Sequence, residues 1–146
     1  CKDDEPETPE QAFQQMAEAM ADEAERHGQH GMADDIRREA EEAEKASEQL
    51  KAKIADDKTL LHDQAIENIK LLAALRFGET AAEAAQYKVV GVEDLSDGRW
   101  EVQGLYRGPS GEGQLVEADW TATVQVALGE LMMGEMNFGE TRTPEN

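Results

Sequence analysis

A chain of 146 residues that is 39% hydrophobic and 5% aromatic, with alanine supplying many of its apolar positions, has material for one lean core and little more. Its 33 acidic and 14 basic residues leave a formal net charge of −19, which argues against nucleic acid or an anionic bilayer surface as a partner. No apolar run approaches the ~20 residues of a membrane-spanning helix, and a lone cysteine makes no internal disulfide.

The acidic residues are spread along the whole chain, the pattern of a solvated surface; the other reading is a surface for a basic protein or for cations. Residues 1–8 read as a polar tether whose one apolar residue is Cys1. Cys1 followed by Lys2-Asp3-Asp4-Glu5-Pro6-Glu7-Thr8-Pro9 resembles the mature terminus of bacterial lipoproteins, in which that cysteine is acylated. The resemblance covers these nine residues. It implies a covalent lipid on Cys1 and a periplasm-facing place in the bacterial cell envelope. Lys2 rather than Asp after the cysteine implies the outer membrane in preference to the inner. A tether of eight residues reaches at most ~28 Å, so it would hold residues 9–146, read as a single α+β domain, near the bilayer.

Residues 9–85 carry helical patterns. Thr8-Pro9-Glu10-Gln11 is a helix start, with Thr8 as cap, Pro9 in the first turn and Gln11 completing a capping box. Phe13, Met16, Ala17, Met20 and Ala24 form its apolar stripe, and His27-Gly28 ends it. Met32, Ile36, Ala40, Ala43, Ser47, Leu50 and Ile54 then recur at heptad spacing. This narrow seam suits an antiparallel hairpin with the first helix, or pairing with a second copy of the chain. Asp56-Asp57-Lys58-Thr59 is a break, although a continuous helix is the alternative. The third helix, 60–77, presents Leu61, Ala65, Ile69, Leu72 and Arg76 in one row, widened by Ile66, Leu71, Ala73 and Leu75. Gly78 ends it, and Thr80-Ala81-Ala82-Glu83 reads as another capping box.

From Tyr87 the period changes to two. Strands over 87–95 and 99–107 flank the tight turn Ser96-Asp97-Gly98. Trp100, Val102 and Tyr106 share one face of the second strand. The third, 115–126, puts Val116, Ala118, Trp120, Ala122, Val124 and Val126 on one face. After Leu128-Gly129-Glu130, Met132, Met136 and Phe138 alternate with Met133, Glu135 and Asn137. Residues 86–139 thus form a four-stranded antiparallel meander, and 140–146 a frayed polar tail. Helices followed by strands predict an α+β fold, with two to three long helices on one face of the sheet. The layout resembles the NTF2-like cones. That resemblance implies a pocket between the helices and the Trp100 and Trp120 face.

Chemistry-bearing clusters are sparse. His27, His30 and Asp34 are candidate metal ligands in a polar loop that lacks a third histidine or a cysteine. His62-Asp63 are neighbours on a helix, about 100° apart, and do not make a base and its orienter. The glycine-rich stretch 108–113 lacks the lysine and the strand-to-helix setting of a phosphate loop. No catalytic constellation and no cofactor other than the lipid on Cys1 is expected. The leading reading is a non-enzymatic, lipid-anchored protein that binds another protein as an accessory subunit of a membrane-associated assembly. Ile36, Ala43 and Leu50 on the heptad seam and Met133 and Met136 on the last strand are its candidate contacts. The alternatives are an acidic inhibitor masking a basic enzyme and a carrier or enzyme for a small hydrophobic ligand. Homodimerisation stays open.

Overall fold

The computed structural model describes residues 8–144. Four helices precede four strands: α1 (Pro9–Arg26), α2 (His30–Asp56), α3 (Thr59–Phe77), α4 (Glu79–Ala84), β1 (Gln86–Ser96), β2 (Arg99–Pro109), β3 (Leu115–Ala127) and β4 (Glu130–Phe138). The strands form one antiparallel sheet in the order β1-β2-β3-β4, and helices pack with it: the fold is α+β. The span read above as one domain gathers into two compact units. One runs up to Lys53 and includes Val126–Glu130; the other comprises Ile54–Gln125 and the chain from Leu131.

The first unit is a hairpin of α1 and α2. Thr8 Oγ1 accepts from Gln11 N at 3.1 Å, Pro9 opens the helix, and Gly28 closes it at φ +75°. Inside the hairpin Ala21, Ala24 and Ala33 cluster, with Ile36 packed against them. Met16, Met20 and Met32, expected in the stripes, are exposed instead. Alanine faces alanine where the helices approach closely, and a methionine there would hold them apart. The heptad of α2 survives with that one change. Ala33, Ala40, Ser47 and Ile54 are buried seven residues apart, and Ile36, Ala43 and Leu50 are half-buried between them. Polar bonds complete the unit. Gln14 Nε2 donates to the Ala40 carbonyl at 2.9 Å, and Arg37 meets Glu18, Asp22 and Glu25 at 3.6, 3.0 and 2.6 Å. The β3–β4 turn, with Leu128 and Gly129 at positive φ, is tied down as well. Leu128 N donates to Glu10 Oε2, Gly129 N to Ser47 Oγ at 2.8 Å, and Ser47 Oγ in turn to Glu10 Oε2 at 3.2 Å.

In the second unit the break between helices is real. Asp57 Oδ1 accepts from Thr59 N at 3.0 Å and from its hydroxyl at 2.7 Å, restarting the chain as α3. The buried row of α3 is Leu61, Ala65, Ile69, Ala73 and Phe77, four residues apart throughout. Arg76, Leu71 and Leu75, assigned above to the inward stripe, are exposed. The capping box at Thr80 is also not realised: α4 starts at Glu79 behind Gly78 (φ +99°), so Thr80 lies inside the helix.

The sheet follows the alternation of its sequence. Trp100, Val102 and Tyr106 on β2 and Ala118, Trp120, Ala122, Val124 and Val126 on β3 are buried. Gly104 pairs with Trp120, and the indole lies over the glycine: a Cβ on Gly104 would sit 2.0 Å from Trp120 Cζ2. Phe77 stacks on Tyr106 at 4.7 Å between centroids, with Tyr87 and Phe138 edge-on to the same ring at 5.5 and 5.7 Å. Tyr106 donates to the Pro109 carbonyl at 2.9 Å and Tyr87 to the Ala82 carbonyl at 2.7 Å.

Two further expectations change. On β4, Leu131, Met133, Met136 and Phe138 are the half-buried residues while Met132 is exposed, so the alternation shifts by one across Gly134-Glu135. The tail is held rather than frayed at Arg142. Its backbone bridges to Glu117 through hydrogen bonds of 2.8 and 2.9 Å, and its guanidinium meets Asp119 at 3.1 Å.

Candidate docking surface on α3 and α4

Between Ile69 and Phe77, α3 is apolar at every position except Lys70 and Arg76, so its sequence does not choose a buried side. Phe77 makes the choice. Its stacking on Tyr106 turns the row through Ala73 and Ile69 inward, which leaves Leu71 and Leu75 on another side, 64% and 85% exposed. Gly78 then folds the short α4 back, burying Ala81 and Ala82. The result is an open groove of about 780 Å³. Leu71, Ala74 and Leu75 supply its apolar surface above the buried Ala82, and Glu67, Lys70, Glu79 and Glu83 its polar one.

The electrostatics of the groove lean negative. Lys70 Nζ stands 5.6 Å from the centre of the Tyr87 ring, a cation–π contact that engages the one cation among the lining residues. Burial, and then the neighbouring Tyr106, push the Tyr87 phenol up to about 12. The lining side chains include no cysteine, serine, threonine or histidine. The groove thus presents apolar contact beside carboxylate charge.

The residues singled out in the sequence are not gathered at this groove. Cys1 lies outside the described residues. His27 Nε2 meets Glu23 Oε1 at 2.9 Å; this bond, followed by those of Arg26, holds the exposed Glu23 carboxyl below its ordinary value. His30 and Asp34 are exposed on the first turns of α2. Among the described residues no three His, Cys, Asp or Glu side chains converge as metal ligands. Ile36 packs inside the hairpin, Ala43 and Leu50 are half-buried along the seam, and Met133 and Met136 are half-buried on β4. Trp100 and Trp120, expected to face an NTF2-like pocket, are 5% and 1% exposed. Leu71 and Leu75 were placed with the core because they extend its stripe. The signal that separates them is the strict four-residue row ending at Phe77, which excludes both.

No protein family, curated protein or solved structure matches this chain.

Proposed function

We propose that this chain is a non-enzymatic protein-binding module that docks a partner through the α3–α4 groove, as an accessory subunit of a membrane-associated assembly. The observation that carries the docking half is the pair Leu71 and Leu75, both exposed, one helical turn apart, in a concave apolar setting with a polar rim. Leucines scattered singly over a surface need no explanation, but adjacent ones lining a groove mark a contact site. The resemblance of residues 1–9 to an acylated terminus supports the membrane half.

A photo-crosslinking residue at position 75, compared with one at exposed Glu48 on α2, tests the docking half in native membranes. The expected result is a discrete adduct at 75 that disappears when Leu71→Glu is added and is missing at 48. Equal labelling at both positions would remove the groove as the docking site. The intact mass of the native protein tests the membrane half: an acylated Cys1 peptide supports it, and an unmodified one ends it.

A further inference from the structure

Building on that docking reading, we infer that the occupant of the groove is a basic amphipathic helix of another protein, its apolar side on Leu71 and Leu75 and its flanks bearing lysine or arginine. Three observations select this partner.

The first is spacing. Leu71 and Leu75 stand ~6 Å apart along the α3 axis, with the small Ala74 and Ala82 leaving the hollow beside them. Two knobs one turn apart with a hollow alongside fit side chains spaced three and four apart on an incoming helix. The second is backbone. The groove is walled by helices: the mid-helix N–H and C=O groups of α3 are bonded within it, and at Ala82 of α4 the N–H donates to the Gly78 carbonyl and the carbonyl accepts from Tyr87, so an extended peptide finds no sheet edge among the lining residues to add to. The third is charge. Glu67, Glu79 and Glu83 border the apolar surface, and Lys70 leans over the Tyr87 ring.

Charge also separates this partner from its rivals. A second copy would bring the same three carboxylates against these, in a chain of net charge −19. An anionic bilayer would be repelled for the same reason. A cationic helix is attracted by the rim and buried by the leucines.

The probe is a fluorescein-labelled helical peptide of about 14 residues with leucines spaced three and four apart and lysines elsewhere, titrated with the full chain by fluorescence anisotropy. A matched peptide with glutamines in place of the lysines is run beside it. The lysine peptide is expected to bind more tightly, and to weaken about tenfold as salt rises from about 0.05 to about 0.5 M. Leu75→Glu, at an exposed position that folding tolerates (checked by circular dichroism), weakens binding at least about tenfold. The triple variant Glu67→Gln, Glu79→Gln, Glu83→Gln lowers affinity and flattens the salt dependence. Equal binding of the two peptides, both sensitive to Leu75→Glu, would overturn the basic helix and leave the docking reading standing. Indifference of both peptides to Leu75→Glu and Leu71→Glu would overturn both readings. Sedimentation showing a dimer abolished by Leu75→Glu would assign the groove to a second copy, and co-flotation with phosphatidylcholine vesicles lost in the same variant would assign it to a bilayer. Either result overturns the basic helix.

Discussion

The two units of this chain hold themselves together by different means. The α1–α2 hairpin closes on alanines and one serine, with Ile36 half-buried beside them. The sheet unit contains Phe77, Tyr87, Trp100, Tyr106, Trp120 and Phe138, six of the seven aromatic residues of the chain. Burial stabilises by roughly 25 cal/mol per Å² of apolar surface, so an alanine seam gains little from area. It gains from close approach, which brings Gln14 to the Ala40 carbonyl and Arg37 to three carboxylates. The comparison predicts that the sheet unit fails when its packing is disturbed, and the hairpin when its polar bonds are.

Gly104→Ala is the strongest way to break the packed unit. The added Cβ would lie 2.0 Å from Trp120 Cζ2 and 2.2 Å from Cε2, on an indole that is 1% exposed and has nowhere to retreat. Overpacking of this severity costs about 3 kcal/mol or more. Urea denaturation should show it, and the cost should shrink sharply when the substitution is made in a Trp120→Ala background. An undiminished cost there would place the strain in the backbone instead of against the indole.

Ser47→Ala is the matching test of the hairpin. Ser47 is 1% exposed; its hydroxyl accepts from Gly129 N and donates to Glu10. Removing it leaves a backbone N–H without that acceptor, a cost of about 2 kcal/mol. Native-state hydrogen exchange should quicken in α1 and at the β3–β4 turn more than in β2. A loss spread evenly over both units would contradict the division drawn here.

A smaller effect reads the aromatic cluster through pH. The folded-state value of Tyr87 is raised to about 12 from the ordinary 10.0. A raised value means that the fold favours the protonated phenol. The stabilisation is therefore complete below about pH 10 and falls away as pH climbs through 12. Tyr106 is shifted in the same direction by burial and adds to the slope. Tyr87→Phe should cost about 1 kcal/mol at neutral pH, for the lost bond to Ala82, and should make the alkaline decline shallower. An unchanged decline would assign it wholly to other groups.

What was legible in the sequence was local. The Thr8 cap, the Gly28 ending, the Ser96-Asp97-Gly98 turn and the two-residue period of β2 and β3 depend on neighbours within a few positions, and each stands as expected. What was illegible was which of several apolar residues faces in. Met32 and Ala33 sit about 100° apart on α2, and the close approach of Ala21 and Ala24 decides between them. Leu71 and Leu75 were hidden for the same reason: the second half of α3 is apolar nearly all round, and only the distant partner Tyr106 fixes its rotation. The candidate site was thus the least readable part of the chain, because its leucines have the composition of a core. The Arg142 bridge to Glu117 is equally a product of distant pairing.

The smallest expected effect belongs to Arg37, and it sharpens the comparison most. Its hydrogen bond to Glu25, aided by the charges of Glu25, Glu18 and Asp22, raises its own pKa and lowers that of Glu25. All three carboxylates are open to water, where ion pairs are weak and screened. In a chain this acidic, however, removing the cation also leaves three neighbouring negative charges facing one another. Arg37→Ala should therefore lower the thermal midpoint slightly at low ionic strength and match the wild type near 1 M salt, where the screening length is about 3 Å. The deficit of Gly104→Ala should be indifferent to the same salt, because dispersion and overlap are not screened. If the Arg37→Ala deficit persists in high salt, the arginine holds the hairpin by packing its stem against α1, and the contrast between a polar-bonded and a packed unit is weaker than the charges imply.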